Sequence, residues 1–303
     1  MKNKFSGIVS LMLLVCILAG NMVFASLSGK PSLAVPTMVQ TEGEPEVETE
    51  PVRLPVLMYH HMLKEPKRWG DYVISPQQFE EDLCTIKAQG YTAVSCQQII
   101  DFYEQGTPLP EKPILITFDD GYESLYEYAY SLLQKYKMKA EVNIIGKYTD
   151  LYSGDVIKDV SYSHANWDQL REMLDSGLLE VGNHTYELHS NKQGERKGVK
   201  QLNGESDEVY RKLLETDIGS LNQEMAKELS IVPTVFAYPF GAYSEGTDAI
   251  LKELGFKIVL TCEEKVNVLD RSGYQEGDLI RLMRFNRASK YSSEEIFAKF
   301  EAK

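Results

Sequence analysis

The sequence predicts an α/β fold in which parallel strands alternate with helices, either closed into a barrel or doubly wound about an open sheet. Three observations predict this fold. From residue 54 onward, short apolar runs alternate with segments that carry the apolar spacing of helices. Several helical segments begin with capping residues. Polar clusters follow four of the apolar runs, as they do at the carboxyl edge of a parallel barrel.

The first strand and the first two helices are the clearest elements. The run LPVLMYH is typical of a strand, and Ser75 then has the properties of a helix N-cap, with Gln78 completing a capping box. Apolar residues fall on one face of this helix, and Gly90 ends it. After the strand YTAV, Ser95 and Gln98 begin a second helix in the same way.

The remaining elements continue the alternation to the end of the chain. Helices are predicted over 124–137, in NWDQLREMLDSG, over roughly 206–229, in TDAILKELG and in SSEEIFAKF. The strands between them are PILITF, AEVNII, LLEVGNH, TVFAYPF, FKIVLT and DLIRLMRF. Seven or more strands separated by crossover helices indicate one large parallel sheet. No internal repeat is visible.

Residues 1–25 have the organisation of a secretory signal peptide. Two lysines, Lys2 and Lys4, precede an apolar stretch, and the small residues of VFAS suit cleavage by a signal peptidase after Ala25. An uncleaved membrane anchor is the alternative, but the apolar core is short for a span of roughly 20 residues. Both interpretations predict export to the cell envelope or the medium.

Residues 26–52 are predicted to be a disordered acidic linker, because they bury too little apolar surface to offset the entropy of ordering. The catalytic domain is then expected over 53–303. After cleavage of the signal, Cys84, Cys96 and Cys262 remain, which is not the pattern of a disulfide framework.

The composition excludes some classes of partner. The 303 residues carry a formal net charge of −13. A nucleic-acid partner requires a basic surface, so none is expected. The same charge disfavours binding to anionic membranes, and membrane contact is expected only through the N-terminal segment.

Two adjacent acids end the strand PILITF. Asp119 and Asp120 would repel each other at a strand end unless a positive charge lies beside them. Neighbouring side chains of a strand point to opposite faces, and Gly121 allows the sharp turn that brings both acids to one pocket. The two carboxylates are therefore expected to have different functions.

Two histidines follow another strand. His184 and His189 bracket TYEL, and on a regular helix this spacing would place them about 140° apart, so they can converge only on an irregular loop. Two imidazoles and one carboxylate form an open divalent site with positions left for water and substrate. The second carboxylate would then lie close enough to act as a general base.

These motifs resemble those of a known family. TFDDG, NHTYELH and AYPFG are similar to the first three motifs of the NodB-homology polysaccharide deacetylases, carbohydrate esterase family four. PVLMYHH and SPQQFEEDLCTIKAQGYTAVS resemble the upstream region of the branch that contains the poly-N-acetylglucosamine deacetylases. The likeness covers about residues 54–300.

The resemblance implies a deformed (β/α) barrel of about seven parallel strands that removes N-acetyl groups from an amino-sugar polymer by attack of metal-bound water. Asp119 would be the base, and Asp120, His184 and His189 would hold a divalent metal, most often zinc, with cobalt, nickel, iron or manganese as alternatives. The backbone N–H of Phe240 would be the oxyanion donor.

The sequence departs from the family pattern at two functions. Ala237 replaces the arginine that orients the base, and Arg281 or Arg284 is a candidate substitute unless both are surface residues. No histidine follows His189, so the proton donor to the leaving amine is missing from its usual place. His60 or His61, at the end of the first strand, is the candidate acid.

The expected substrate is an N-acetylated glycan of the poly-N-acetylglucosamine, peptidoglycan or a related type. Tyr122, Pro239 and Trp167 are candidates to border it, since aromatic rings stack on sugars, although such residues often only pack in a core. Two other functions remain open. One is a glycan-binding barrel that has lost turnover along with its acid, and the other is a non-haem iron oxygenase with a two-histidine, one-carboxylate site.

Overall fold

The computed structural model describes residues 51–193 and 195–302. The predicted signal segment, 1–25, and all but the last two residues of the predicted linker, 26–52, lie outside the described residues. The strands are β1 Val52–Leu54, β2 Val56–Tyr59, β3 His61–Met62, β4 Val73–Ile74, β5 Thr92–Val94, β6 Pro113–Phe118, β7 Ala140–Ile144, β8 Leu179–Asn183, β9 Val235–Ala237, β10 Ile258–Leu260, β11 Asn267–Leu269, β12 Ile280–Leu282 and β13 Phe285–Asn286.

Eight α-helices lie in the same ranges. They are α1 Pro76–Ala88, α2 Cys96–Gln105, α3 Tyr130–Tyr136, α4 Gly146–Ser153, α5 Trp167–Asp175, α6 Asp207–Leu229, α7 Thr247–Glu253 and α8 Ser293–Ala302. The predicted capping boxes at Ser75 and Ser95 are both present and start α1 and α2. Such a cap stabilises a helix by about 1 kcal/mol.

The main sheet is a curled half-barrel of parallel strands. Its order is β12-β10-β9-β8-β7-β6-β2-β13, and β5 pairs with the first half of β6. Every neighbouring pair in this sheet is parallel, which confirms the predicted α/β class. The strand count is therefore nine, slightly more than the predicted seven.

The two edges of the half-barrel come together in the chain, because only Met283 and Arg284 separate β12 from β13. The side chain of Asn267 bridges this join. Its amide donates to the carbonyl oxygens of Leu54 and Met283, at 3.1 and 2.9 Å, and its oxygen accepts from the N–H of Met283 at 2.8 Å. These three hydrogen bonds hold the join between β12 and β13 against β1 and β11.

The pleat of the strands separates the residues that face the helices from those that face the interior of the half-barrel. In β6, Ile116 and Phe118 belong to the core that packs against α1 and α3. Leu115 instead joins an interior cluster shared with β2, β9, β10, β12 and α2. Because side chains alternate along a strand, Thr117 and Asp119 face the same interior, above that cluster.

Two predicted strands are interrupted. LPVLMYH divides at Pro55 into β1, which pairs antiparallel with β11, and β2, which enters the main sheet. Proline has no N–H to donate, so it suits a break between ladders. DLIRLMRF divides into β12 and β13 where the sheet turns from one edge to the other. The predicted long helix is confirmed as α6, whereas α4 and the pair β3 and β4 were not predicted.

Other features of the described region bear on the fold as a whole. Its three cysteines, Cys84, Cys96 and Cys262, are all free thiols. Across residues 51–193 and 195–302 no helix combines the length and the apolar character needed to cross a membrane.

Candidate active site

A cleft of about 860 Å³ opens at the carboxyl edge of the half-barrel. The predicted site residues Asp119, Asp120, His184, His189 and Phe240 all line it. They come from the ends of β6, β8 and β9, which are neighbours or next neighbours in the sheet. The convergence that the strand-end positions predicted is therefore present in the structure.

Asp119 is held by three donors at the cleft floor. The guanidinium of Arg284 donates from Nη1 to Oδ1 at 2.8 Å and from Nη2 to Oδ2 at 2.7 Å. The side-chain amide of Asn143 donates to Oδ1 at 2.9 Å. Only 2 % of Asp119 is exposed, so this bidentate pair lies almost entirely out of bulk water.

The charge of Arg284 keeps Asp119 ionised. Burial alone would raise the pKa of Asp119, but Arg284, with a smaller contribution from His184, holds it well below the ordinary value. Arg284 is itself fixed, because its Nε donates to the carbonyl oxygen of Thr261 at 2.8 Å. Of the two candidate arginines, Arg284 therefore contacts the aspartate, whereas Arg281 pairs with Asp248.

Asp120, His184 and His189 form a three-donor cluster. The Nε2 atoms of His184 and His189 lie 3.6 and 3.3 Å from Oδ1 of Asp120. One ligand atom from each residue lies within 4.8 Å of the other two. His184 has its Nδ1 against the carbonyl oxygen of Ala237 at 2.8 Å, which assigns the proton to Nδ1 and leaves the Nε2 lone pair for a cation.

The protonation states of this cluster suit a divalent cation. Burial lowers the pKa of His184, and burial together with His184 lowers the pKa of His189 to about 3, so both imidazoles are neutral donors. Burial and the charge of Asp119 raise the pKa of Asp120 to about 7. Arg284 opposes this shift only in part, and a cation among the three donors would supply further positive charge.

Backbone strain concentrates at the same place. In residues 51–193 and 195–302, five non-glycine residues have positive φ, and three of them, Asp120, Thr185 and Phe240, lie at the cluster or beside it, with φ of 69°, 75° and 58°. Such residues cost about 1–3 kcal/mol each and persist where the surroundings impose them. At Asp120 the positive φ takes the side chain out of the alternation of the strand, so that Asp119 and Asp120 both line the cleft.

Glycine is needed next to this turn. Gly121 has a φ of 69°, and a Cβ built on it would lie 2.9 Å from the Cγ2 of Ile144. An L side chain at this position would face both the strain and the clash. The glycine predicted to permit the turn therefore also permits the close packing of β6 and β7.

The two neighbouring histidines have different environments. Both rings line the cleft. The Nδ1 of His61 lies 2.7 Å from the hydroxyl of Ser124 and its Nε2 lies 3.2 Å from the carbonyl oxygen of Ser161, whereas the buried Nδ1 of His60 has no hydrogen-bond partner among the described residues. Burial lowers the pKa of His60 to about 4, although the charge of Asp119 opposes this shift.

The predicted oxyanion turn follows β9. Pro239 is buried, and Phe240 adopts the left-handed conformation within the turn Pro239–Gly241. The Phe240 ring lies 4.4 Å from the ring of His189, between centroids. The turn therefore lies beside the three-donor cluster, and the role of the Phe240 N–H stays a prediction.

A row of stacked rings borders the cleft opposite this turn. Tyr122 stacks on His61 at 4.2 Å and on His164 at 4.6 Å, and Tyr148 stacks on His164 at 4.5 Å. Because its ring faces contact the two imidazoles, Tyr122 can meet a ligand only through its edge or hydroxyl. Tyr148, at the end of the row, is 37 % exposed and was not predicted.

Trp167 lies away from the cleft. It is the first residue of α5 and is 6 % exposed, and its indole N–H donates to Asp150 at 2.9 Å. A ring that stacks on a sugar needs an open face, so the structure does not support the expected contact between Trp167 and substrate.

Asn143 is the residue of the site that sequence reasoning missed. Its signal was present in the strand AEVNII, where Glu141 and Asn143 alternate with apolar residues. Two polar side chains at this spacing in a buried strand share the face opposite the apolar core. The helix-facing residues of β7 indeed belong to that core, whereas Asn143 reaches Asp119.

This chain is similar in sequence and fold to known proteins. The sequence profile of a family described as polysaccharide deacetylase matches residues 106–259. The chain is 29 % identical over 201 residues to the poly-beta-1,6-N-acetyl-D-glucosamine N-deacetylase of Escherichia coli K12. That alignment covers 60 % of this chain but only 30 % of the relative, so the chain spans about a third of that protein.

Solved structures with the same fold are similar over most of the chain. One is IcaB from Ammonifex degensii, with a TM-score of 0.68 and 30 % identity over 82 % of this chain and 97 % of that one. Another is the de-N-acetylase from Aggregatibacter actinomycetemcomitans, with a TM-score of 0.69 and 25 % identity over 82 % of this chain and all of that one.

Proposed function

This chain belongs to the polysaccharide deacetylase family, and we propose that it is a metal-dependent hydrolase that removes N-acetyl groups from an amino-sugar polysaccharide of the poly-N-acetylglucosamine type. One observation carries the proposal. A three-donor cluster suited to a cation and an ionised, arginine-bound Asp119 occupy the same cleft. Hydrolysis of an amide requires both an electrophilic centre and a base at the reacting carbonyl.

Asp120, His184 and His189 would hold the cation, for which zinc is the first candidate because it favours nitrogen and oxygen donors in an open site. Cobalt, nickel, iron and manganese are the alternatives. When bound, a divalent ion supplies Lewis-acid polarisation of the acetyl carbonyl and lowers the pKa of water.

Asp119 would take a proton from the attacking water. Its low pKa keeps it ionised, and its three hydrogen bonds to Arg284 and Asn143 fix the carboxylate in one orientation. A fixed carboxylate loses no orientational freedom as the water attacks. The N–H of Phe240 would donate to the oxygen that becomes negative during the attack.

His60 is the better of the two candidate acids for protonating the leaving amine. Both rings line the cleft, but both nitrogens of His61 have partners in the protein, whereas Nδ1 of His60 has none among the described residues. The pKa of His60 is low in the free chain because the ring is buried. Negative charge that develops on the acetyl oxygen favours the imidazolium, so the substrate itself would promote protonation.

The substrate is an N-acetylated glycan that lies along the cleft, with the edge of Tyr122 and the partly exposed Tyr148 beside it. Pro239 is buried and does not line the cleft, so it would act only through the turn that carries Phe240. We place this reaction outside the cytoplasm, in the envelope or the medium. The predicted export segment, 1–25, and the polymer named for the E. coli relative support this placement.

Acetate release from poly-N-acetylglucosamine oligomers tests the function. The purified chain loaded with zinc should release acetate, a chelator should stop the release, and added zinc should restore it. The matched control is Asp119→Asn, which should bind oligomer but release no acetate. Binding of oligomer by the wild-type protein without acetate release would identify a glycan-binding barrel instead. Parallel assays on peptidoglycan fragments and chitin oligomers assign the polymer.

A further inference from the structure

Two buried polar groups with unmet hydrogen-bonding capacity lie behind the proposed base. The Oδ1 of Asn143 has no hydrogen-bond partner among the described residues, and the oxygens of Glu141 have none beyond the thiol of Cys96, a weak donor. Both residues are fully buried. An unpaired buried polar group costs about 1–3 kcal/mol, so two of them in one place indicate an interaction that involves both.

The two groups face one gap in the sheet. Glu141 and Asn143 alternate on β7 and project into the interior, toward Gly182 on β8, which pairs in register with Asn143. A Cβ built on Gly182 would lie 2.4 Å from Oε1 of Glu141 and 2.4 Å from Oδ1 of Asn143. The two oxygens are therefore no more than twice that distance apart, and the glycine leaves the space between them open.

A proton held between two oxygen acceptors that share such a gap would satisfy both of them. Glu141 can supply it, because its surroundings favour the neutral acid. Burial and the charge of Glu180 raise the pKa of Glu141 well above its ordinary value, while the thiol of Cys96 opposes the shift less strongly. Arg284, the buried cation nearby, is already paired with Asp119.

We propose that Glu141 is a positioning residue for the deacetylation proposed above, and that its carboxylic acid O–H donates to Oδ1 of Asn143, directly or through one water. This bond fixes the amide of Asn143 so that its NH₂ group points at Asp119. Reversal of the amide would place Oδ1 against the Asp119 carboxylate and leave the Glu141 proton without an acceptor.

A metal held by Cys96, Glu141 and Glu180 is the competing use of the same acid, since these three side chains also lie within 4.8 Å of one another. The carboxylate of Glu180 is already occupied. It accepts from the N–H of Cys96 at 2.7 Å and from the N–H of Gln97 at 3.3 Å, and so caps α2. Asn143, in contrast, offers an acceptor that nothing else in the described chain uses.

The test compares Glu141→Gln, which keeps a donor, with Glu141→Met, which removes it at similar size. We expect kcat for acetate release to fall about tenfold in Glu141→Met with KM unchanged, and to stay within about twofold in Glu141→Gln. The melting temperature of Glu141→Met should stay within a few degrees of the wild-type value, because removal of the buried acid stabilises the fold while the Oδ1 of Asn143 loses its donor. A merely structural role would lower kcat and stability together.

A double variant and a spectroscopic measurement complete the test. In an Asn143→Leu background, Glu141→Met should have no further effect on kcat. Infrared spectra should show the carbonyl band of a neutral carboxylic acid that is absent from Glu141→Gln and shifted in Asn143→Leu. This band reports the contact even if the wild-type protein releases no acetate, an outcome that would refute the proposed function alone.

Several results would overturn the inference. They are the absence of the neutral-acid band, a band that Asn143→Leu leaves unchanged, additive kcat effects in the double variant, and wild-type kcat in Glu141→Met. A second equivalent of zinc that disappears in Cys96→Ala would assign Glu141 to a metal site instead.

Discussion

Arg284 and Arg287 are three residues apart in the chain, and each forms a buried pair with an aspartate, Asp119 in one case and Asp82 in the other. All four residues are at most 2 % exposed. The two pairs thus have the same chemistry and nearly the same burial, and they differ in what surrounds the carboxylate.

Both carboxylate oxygens of Asp82 accept hydrogen bonds from other residues of the protein. It takes the hydroxyl of Tyr59 at 2.9 Å, the Nε of Arg287 at 2.7 Å and the hydroxyl of Ser293 at 2.7 Å. These donors tie α1 to β2, to the segment after β13 and to α8. Burial raises the pKa of Asp82 in spite of these partners, whereas the pKa of Asp119 is lowered.

Asp119 lies at the open end of the half-barrel and lines the cleft. Its pair with Arg284 leaves the carboxylate available to a molecule that enters. The comparison teaches that two buried ion pairs of the same chemistry can differ in access, since the pair at the carboxyl edge of the sheet can meet a ligand and the pair beneath a helix joins elements.

The largest difference between the two pairs is expected when each aspartate is replaced by asparagine, which removes the charge at nearly the same size. Asp119→Asn should lower kcat for acetate release by about 10³-fold, since the general base is lost. Asp82→Asn should keep kcat near the wild-type value while its melting temperature falls by several degrees, because Arg287 loses its counter-charge. Similar kcat losses in the two variants would show that the pairs do not differ in function. Acetate release and thermal unfolding measure the two effects.

Replacing whole pairs sharpens the comparison. Arg287→Met alone should cost about 3–5 kcal/mol of unfolding free energy, and the double variant Arg287→Met, Asp82→Leu should recover most of it, because apolar residues often replace a buried pair without loss. Arg284→Met should lower kcat about 10²-fold. Adding Asp119→Leu to it can restore stability but not turnover. Denaturant unfolding and acetate release separate these outcomes.

The adjacent histidines differ in whether the protein occupies their ring nitrogens. His60→Gln should lower kcat about 10²-fold with little change in the melting temperature, because the ring faces the cleft. His61→Gln should mainly cost stability, about 1–2 kcal/mol, since its two hydrogen bonds lie within the protein. A large kcat loss in His61→Gln with none in His60→Gln would exchange their roles.

The smallest expected effect concerns the stacked rings. Tyr148→Leu should raise KM for a glycan oligomer about two- to tenfold, since an aromatic face contributes about 0.5–1.5 kcal/mol to stacking. Tyr122→Leu should change stability more than KM, because the faces of that ring are covered by His61 and His164. Equal KM changes would indicate that neither ring meets the sugar through its face.

Local patterns predicted the parts of the structure that depend on local chemistry. The capping boxes of α1 and α2, the alternation of strands and helices, and the acids and histidines at strand ends were all visible in the sequence. Functional residues gather at the carboxyl ends of strands in this fold class, so the cluster of Asp120, His184 and His189 could be anticipated before the structure was known.

Contacts between distant segments could not be predicted in the same way. Ile280 and Leu282 face the interior cluster, so alternation along β12 puts Arg284 on the same side and Arg281 on the other, but only the curl of the sheet brings Arg284 to Asp119. The distinction between His60 and His61 depends on Ser161, about 100 residues away in the chain. Trp167 was misplaced because its exposure depends on how α5 packs, which its own sequence does not specify.

Arg284 stands in the two-residue join between the edges of the half-barrel, close to the end of the chain. Every donor of the candidate metal cluster precedes it by more than 90 residues. During synthesis the pair with Asp119 can therefore form only after β12 and β13 have been made and docked. Removal of the segment that follows β11 would take away the arginine that holds Asp119 and leave every donor of the cluster in the chain.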